Sequence, residues 1–166
     1  YIHENIGIAE QMGNQEYILE SKLQLAFVYC LSGLFVQAND ILKLIQCDNL
    51  SVDLKSLYCW NRIRYYENII KYTDDARFSE EYVQLKEAYR DTVMGILDPQ
   101  SDEYLKEKAV KLQYDGKLDE ALQILYKIYD KQKPETHEYA MMAMGLARLY
   151  KLGEKKEEEE KFLMLA

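Results

Sequence analysis

The sequence predicts an all-α fold, a solenoid of antiparallel helix pairs with about nine helices. Three observations carry that prediction. The run Ala26, Gly33, Ala38 recurs as Ala109, Gly116, Ala121, so that in both copies a small residue stands seven before a glycine and an alanine five after it. A bulky apolar residue, Phe35 or Leu118, stands two after each glycine, the spacing of two helices joined by a tight turn and crossing closely at the alanine. Second, only two prolines and seven glycines interrupt 166 residues rich in Leu, Lys, Glu, Gln, Tyr and Ala. Third, apolar residues make up 48% of the chain and recur at helical spacing, enough for a continuous core.

The elements follow in order over a single domain, 1–166. Residues 1–14 carry Ile2, Ile6, Ile8, Ala9 and Met12 at helical spacing up to Gly13-Asn14, and read as the second helix of a truncated repeat. The chain does not begin with Met and reads as a piece of a longer protein. Residues 16–47 form the first complete pair. Its first helix, 16–32, has the stripe Ile18, Leu19, Leu23, Ala26, Phe27 and Cys30; Gly33 supplies the turn; its second helix runs from 35 to about 46 and ends at Cys47-Asp48-Asn49.

Residues 51–97 form an elongated pair. Ser51 or Asp53 can cap a helix reaching about Tyr72, a long connection over 73–77 follows, and the next helix runs over about 79–97. Arg62 falls where Ala26 stood, and no glycine marks the turn. Asp98-Pro99 then breaks the helix, and Ser101 or Asp102 can cap the third pair, 101–133, with helices over 102–114 and 118–131. The fourth pair, 135–166, sets Ala140, Ala143, Met144, Ala147 and Tyr150 on one face and turns at Gly153-Glu154. Its last helix, 155–166, puts Glu159 where the crossing alanine should be.

These spacings resemble the tetratricopeptide repeat (TPR), whose period is about 34 residues. The intervals Ala26 to Arg62, Arg62 to Ala109 and Ala109 to Ala147 are 36, 47 and 38 residues, which places one long insertion between the second and third repeats. Repeats of the HEAT type, with periods of about 40 to 47, are the alternative; the Gly-to-Ala spacing argues against them.

The chemistry of the chain points to binding rather than catalysis. A net charge of -8 disfavours nucleic acid, whose phosphates call for clustered Lys and Arg. No apolar run is long enough to insert in a membrane. Cys30, Cys47 and Cys59 have no CxxC spacing and read as small core residues. Neither His3 nor His137 has a second histidine four residues on, no glycine-rich phosphate loop occurs, and nothing marks a nucleophilic triad. The expectation is no enzyme, no metal and no cofactor. The 15 tyrosines, among them Tyr29, Tyr58, Tyr65, Tyr126, Tyr129 and Tyr150, read as spacers between helices rather than as an aromatic platform, and Glu157 to Glu160 as a solvated helix face.

The TPR resemblance implies a concave groove lined by the first helix of each pair, at positions three before, one after and four after the crossing residue. Carried over, these are Leu23, Phe27 and Cys30; Cys59, Ile63 and Tyr66; Lys106, Val110 and Gln113; and Met144, Arg148 and Lys151. The lining is mostly apolar, and adjacent pairs show no cluster of Lys, Asn and Arg of the kind that grips a C-terminal carboxylate. Such a groove suits an amphipathic helix of another protein or of the same polypeptide. The strings Tyr17 to Phe27, Gly33-Leu34-Phe35 and Leu146 to Leu152 are similar to the repeat region of Bacteroidetes TPR-containing transcriptional regulators. That resemblance implies a periplasmic sensor or interaction module, with a membrane helix, a coiled coil and a DNA-binding region beyond it; a cytoplasmic location is the alternative. The competing reading is a passive scaffold that oligomerises through terminal helix faces around Ile2, Ile6, Phe162 and Leu163.

Overall fold

The computed structural model describes residues 2–72 and 76–166. Among these the chain is all helical: α1 (Ile2–Met12), α2 (Gln15–Leu31), α3 (Phe35–Lys43), a 3₁₀ turn (Cys47–Asn49), α4 (Val52–Tyr72), α5 (Ala76–Ile96), α6 (Asp102–Tyr114), α7 (Leu118–Tyr129), α8 (His137–Leu152) and α9 (Lys156–Leu163). The fold class is the all-α, TPR-like one that the repeat predicts. Of the connection expected at 73–77, residues 73–75 lie outside the described ones, and α5 already begins at Ala76. The chain divides into two compact units, Tyr1–Ile96 and Leu97–Ala166.

The turns explain why the glycine spacing is diagnostic. Gly13, Gly33 and Gly116 have φ of 64°, 76° and 74°, a left-handed backbone that costs a residue without Cβ little. Each follows a helix end closed by a six-to-one bond from the next amide: Asn14 N to Ala9 O at 3.2 Å, Leu34 N to Tyr29 O at 2.9 Å, Lys117 N to Leu112 O at 2.8 Å. The fourth pair has the same bond, Lys155 N to Tyr150 O at 2.9 Å. There the left-handed residue is Glu154, at φ 58°, while Gly153 has an ordinary φ of -84°.

Helix starts are equally regular. Asn14 Oδ1, Ser101 Oγ and Thr136 Oγ1 accept from the amides of Tyr17, Tyr104 and Tyr139 at 3.1, 3.1 and 3.2 Å, capping α2, α6 and α8. Ser51 does not cap with its side chain; its hydroxyl donates to Glu16 Oε1 at 3.0 Å.

In the first unit α2 packs on α1, α3 and α4, so several of its faces are covered and Ser21, Leu25 and Ala26 are buried together with Leu23 and Cys30. In the second unit α7 lies against both α6 and α8, and α8 against α9. The core there joins Ala109, Ala121, Ile128, Ala143, Leu146 and Phe162. Phe162 stacks on Tyr150 (centroids 5.8 Å, 11° between planes) and meets Tyr126 and Tyr129 edge-on at 5.8 and 5.7 Å. Phe162 is thus a core residue, 3% exposed, and corrects the expectation that it forms an open terminal face; Leu163 beside it is 55% exposed.

Candidate functional site

Helices α6 and α8 both pack on α7, and a cleft of about 180 Å³ lies between them. Lys106, Val110 and Gln113 line one wall from α6, Gly145 and Arg148 the other from α8, with Leu125 of α7 and Met142 below. A second hollow of about 240 Å³ has Arg148 in common with it and is lined by Met144, Lys151, Glu159 and Leu163. All six groove positions carried onto the second unit therefore line one of these two hollows. Lys106, Val110 and Gln113 are each about one turn apart, so the wall runs about 10 Å along α6. Repeat register alone gives no basic and amide cluster spanning adjacent pairs, whereas the structure brings Lys106 and Gln113 of one pair to the same cleft as Arg148 of the next.

Gly145, like Leu125 and Met142, is a residue of this cleft that the groove pattern does not identify. It stands inside α8, where glycine costs helix stability relative to alanine by about 1 kcal/mol. A Cβ there would come 3.3 Å from Leu125 Cδ1, so its absence helps keep the cleft open. An isolated glycine within a strong helical pattern is the available sequence signal.

The first unit treats its six positions differently. Leu23, Cys30, Cys59, Ile63 and Tyr66 are buried, and of the six only Phe27 is exposed, at 39%. The expectation that these five line an open groove is corrected: α4 packs across α2, and α5 across α4, so the inner faces of these helices are covered. Even Phe27 carries the guanidinium of Arg64, 6.0 Å from its ring centre. Burial also governs the thiols. It raises the pKa of Cys30 against the opposing pull of Arg64, and pushes Cys59 up to about 12 with help from the neighbouring Cys47 thiol. Both behave as core groups, not nucleophiles.

Arg62, which takes the place of the crossing alanine, is itself buried. Its Nε donates to Tyr58 Oη at 2.9 Å and its Nη1 to Asn39 Oδ1 at 3.1 Å. The guanidinium lies 5.3 Å from the Tyr58 ring centre and 6.0 Å from that of Tyr89. Tyr66 stacks on Tyr89 at 6.1 Å, and burial raises the pKa of both phenols. Lys86 and Arg90 of α5 are buried as well, with Arg90 paired to Glu87 and, at 3.6 Å, to Glu67. This polar core holds α4 and α5 together.

Among the described residues no group of three or more His, Cys, Asp or Glu could hold a metal, and no helix is long and apolar enough to cross a membrane. The profile of the SusR N-terminal TPR domain matches residues 1–166. No curated protein and no solved structure matches the chain. Capped helix pairs, left-handed turns at the repeat register and a profile match over the whole length agree: the chain belongs to the SusR N-terminal TPR domain family.

Proposed function

We propose that the chain is a non-enzymatic module that binds a protein or peptide segment in the α6–α8 cleft, as the sensing or interaction part of a transcriptional regulator. TPR domains are protein-interaction modules, and family membership supports that much directly. One observation supports the placement: six positions chosen by repeat register alone line two hollows that have Arg148 in common. The regulator role rests on the resemblance of the repeat strings to Bacteroidetes TPR-containing regulators. Val110→Glu combined with Met144→Glu, in the polypeptide that carries this domain, is expected to abolish crosslinking to a partner from a photoreactive residue at Lys151 and to silence the regulated genes. Unchanged crosslinking and unchanged expression would defeat the proposal.

A scaffold reading draws on a different face. Ile6, Leu19, Leu25, Ile41, Leu44 and Ile45 line a hollow of about 190 Å³ on the first unit, and Leu44 is 85% exposed. Sedimentation velocity on Leu44→Glu separates the readings: a change from oligomer to monomer would favour assembly through this face.

A further inference from the structure

We propose that the α6–α8 cleft is specific for an acidic amphipathic segment, one that places an apolar side chain on the cleft floor and carboxylates against its rim. The proposal rests on the reading of this cleft as the peptide site and adds the chemistry of its occupant. Three cations stand at the cleft and the neighbouring hollow, Lys106 at the first, Lys151 at the second and Arg148 at both, against one carboxylate, Glu159 of the second. None of the three cations has an ion-pair or hydrogen-bond partner among the described residues. Elsewhere charges do find partners, as Lys131 does with Asp102 at 2.9 Å and Arg90 with Glu67. The chain as a whole carries 29 acidic against 21 basic residues, so a cluster of unpaired positive charge is contrary to its composition.

The floor supplies the other half of the match. Leu125, Met142 and the bare backbone of Gly145 make it apolar, and Met144 and Leu163 stand 53% and 55% exposed at the edge of the second hollow. At about 180 Å³ the cleft is smaller than the pockets, about 300 Å³ and upward, that enclose whole small molecules; it suits one or two side chains of a longer segment. Gln113 adds an amide for the segment's backbone. A net charge of -8 repels acidic partners at long range, so attraction arises only close to the rim and falls with salt.

The test uses the whole 166-residue chain and three fluorescein-labelled synthetic peptides of two helical turns. One carries Glu and Leu at helical spacing, one has Lys for Glu, and one has Ser for Leu. Fluorescence anisotropy is expected to show the Glu/Leu peptide binding about tenfold or more tighter than either other peptide, with affinity falling as NaCl rises. Lys106→Glu with Arg148→Glu should reverse the preference toward the Lys peptide. Lys106→Gln with Arg148→Gln should only level it, and circular dichroism melts of both double variants should match the parent.

Equal affinity for Glu and Lys peptides, insensitive to salt but lost in Val110→Glu, would overturn the acidic specificity and leave the peptide site standing. No binding of any peptide would overturn both. Self-association of the parent chain that is lost in the Lys106→Gln, Arg148→Gln variant would give the cleft to the acidic α9 of a second copy, and would overturn the proposal.

Discussion

Glu154 holds the same left-handed backbone as Gly116, at φ 58° against 74°, and stands seven residues after Ala147 as Gly116 stands seven after Ala109. The repeat thus keeps its backbone where it has lost the residue that suits it. The glycine next door, Gly153, is out of register: the nearest atoms to a Cβ on it would be Leu149 O and Tyr150 O at 3.6 Å and Leu118 Cδ1 at 3.9 Å, ordinary contacts.

Substitution at the two turns should therefore move stability in opposite directions. Glu154→Gly is expected to stabilise by about 0.5–1 kcal/mol, raising Tm by about 1–4 °C. Gly116→Ala, with open space around its Cβ but φ of 74°, should cost about 1–2 kcal/mol through backbone strain alone. Gly153→Ala should change little. Thermal denaturation of the three variants checks the ordering, and a destabilised Glu154→Gly would contradict it.

Arg62 is expected to be intolerant of truncation. Arg62→Ala removes donors to Tyr58 and Asn39 and leaves a void beside the Tyr89 ring, for a loss of about 2–4 kcal/mol. Arg62→Met keeps much of the volume and should recover part of that loss, whereas Arg62→Lys keeps the charge but not the planar fork that serves two acceptors. Urea denaturation would show this ranking; equal stability of Arg62→Lys and the parent would refute it.

The sequence makes the helices legible because glycine, capping residues and apolar spacing act locally. Gly33, Gly116, Ser101 and the break at Pro99 each set a boundary through a few neighbouring residues, and α6 begins and ends where they place it. What does not follow from spacing is which face of a helix a neighbour covers. Leu23, Cys30, Cys59, Ile63 and Tyr66 occupy the register of a groove yet are buried, because α4 packs on α2 and α5 on α4, around the buried cations Arg62, Lys86 and Arg90. Phe162 was open to misreading for a related reason. Its helix is short and acidic, and its burial comes from three tyrosines, Tyr126, Tyr129 and Tyr150, contributed by two other helices.

Truncating Phe162 should consequently unfold rather than disassemble. Phe162→Ala removes a ring that is 3% exposed and touches Tyr126, Tyr129 and Tyr150, for an expected loss of about 3–5 kcal/mol. Phe162→Leu should cost less. Hydrogen exchange should report the loss first in α9 and α8; an oligomer that falls to a fully stable monomer would instead make Phe162 an interface residue.

Alkaline pH should weaken the fold before it changes the cleft. Burial raises the pKa of Cys59 from 9.0 to about 12, and it raises those of Tyr65, Tyr66, Tyr89 and Tyr126 from 10.0, so in each case the folded state holds the proton more tightly than the unfolded chain. Above pH 9 the unfolded state binds fewer protons, and stability must fall with pH. The contribution is fully present below about pH 9 and is lost as pH rises through about 12. Urea midpoints should be flat between pH 7 and about 8.5 and decline beyond, while the phenolate absorbance of the buried tyrosines should appear together with the loss of helical dichroism. Cys59→Ala should reduce the earliest part of the decline, to which buried Cys30 also contributes. All tyrosines ionising near pH 10 with helicity retained would show instead that these phenols reach solvent in the folded chain.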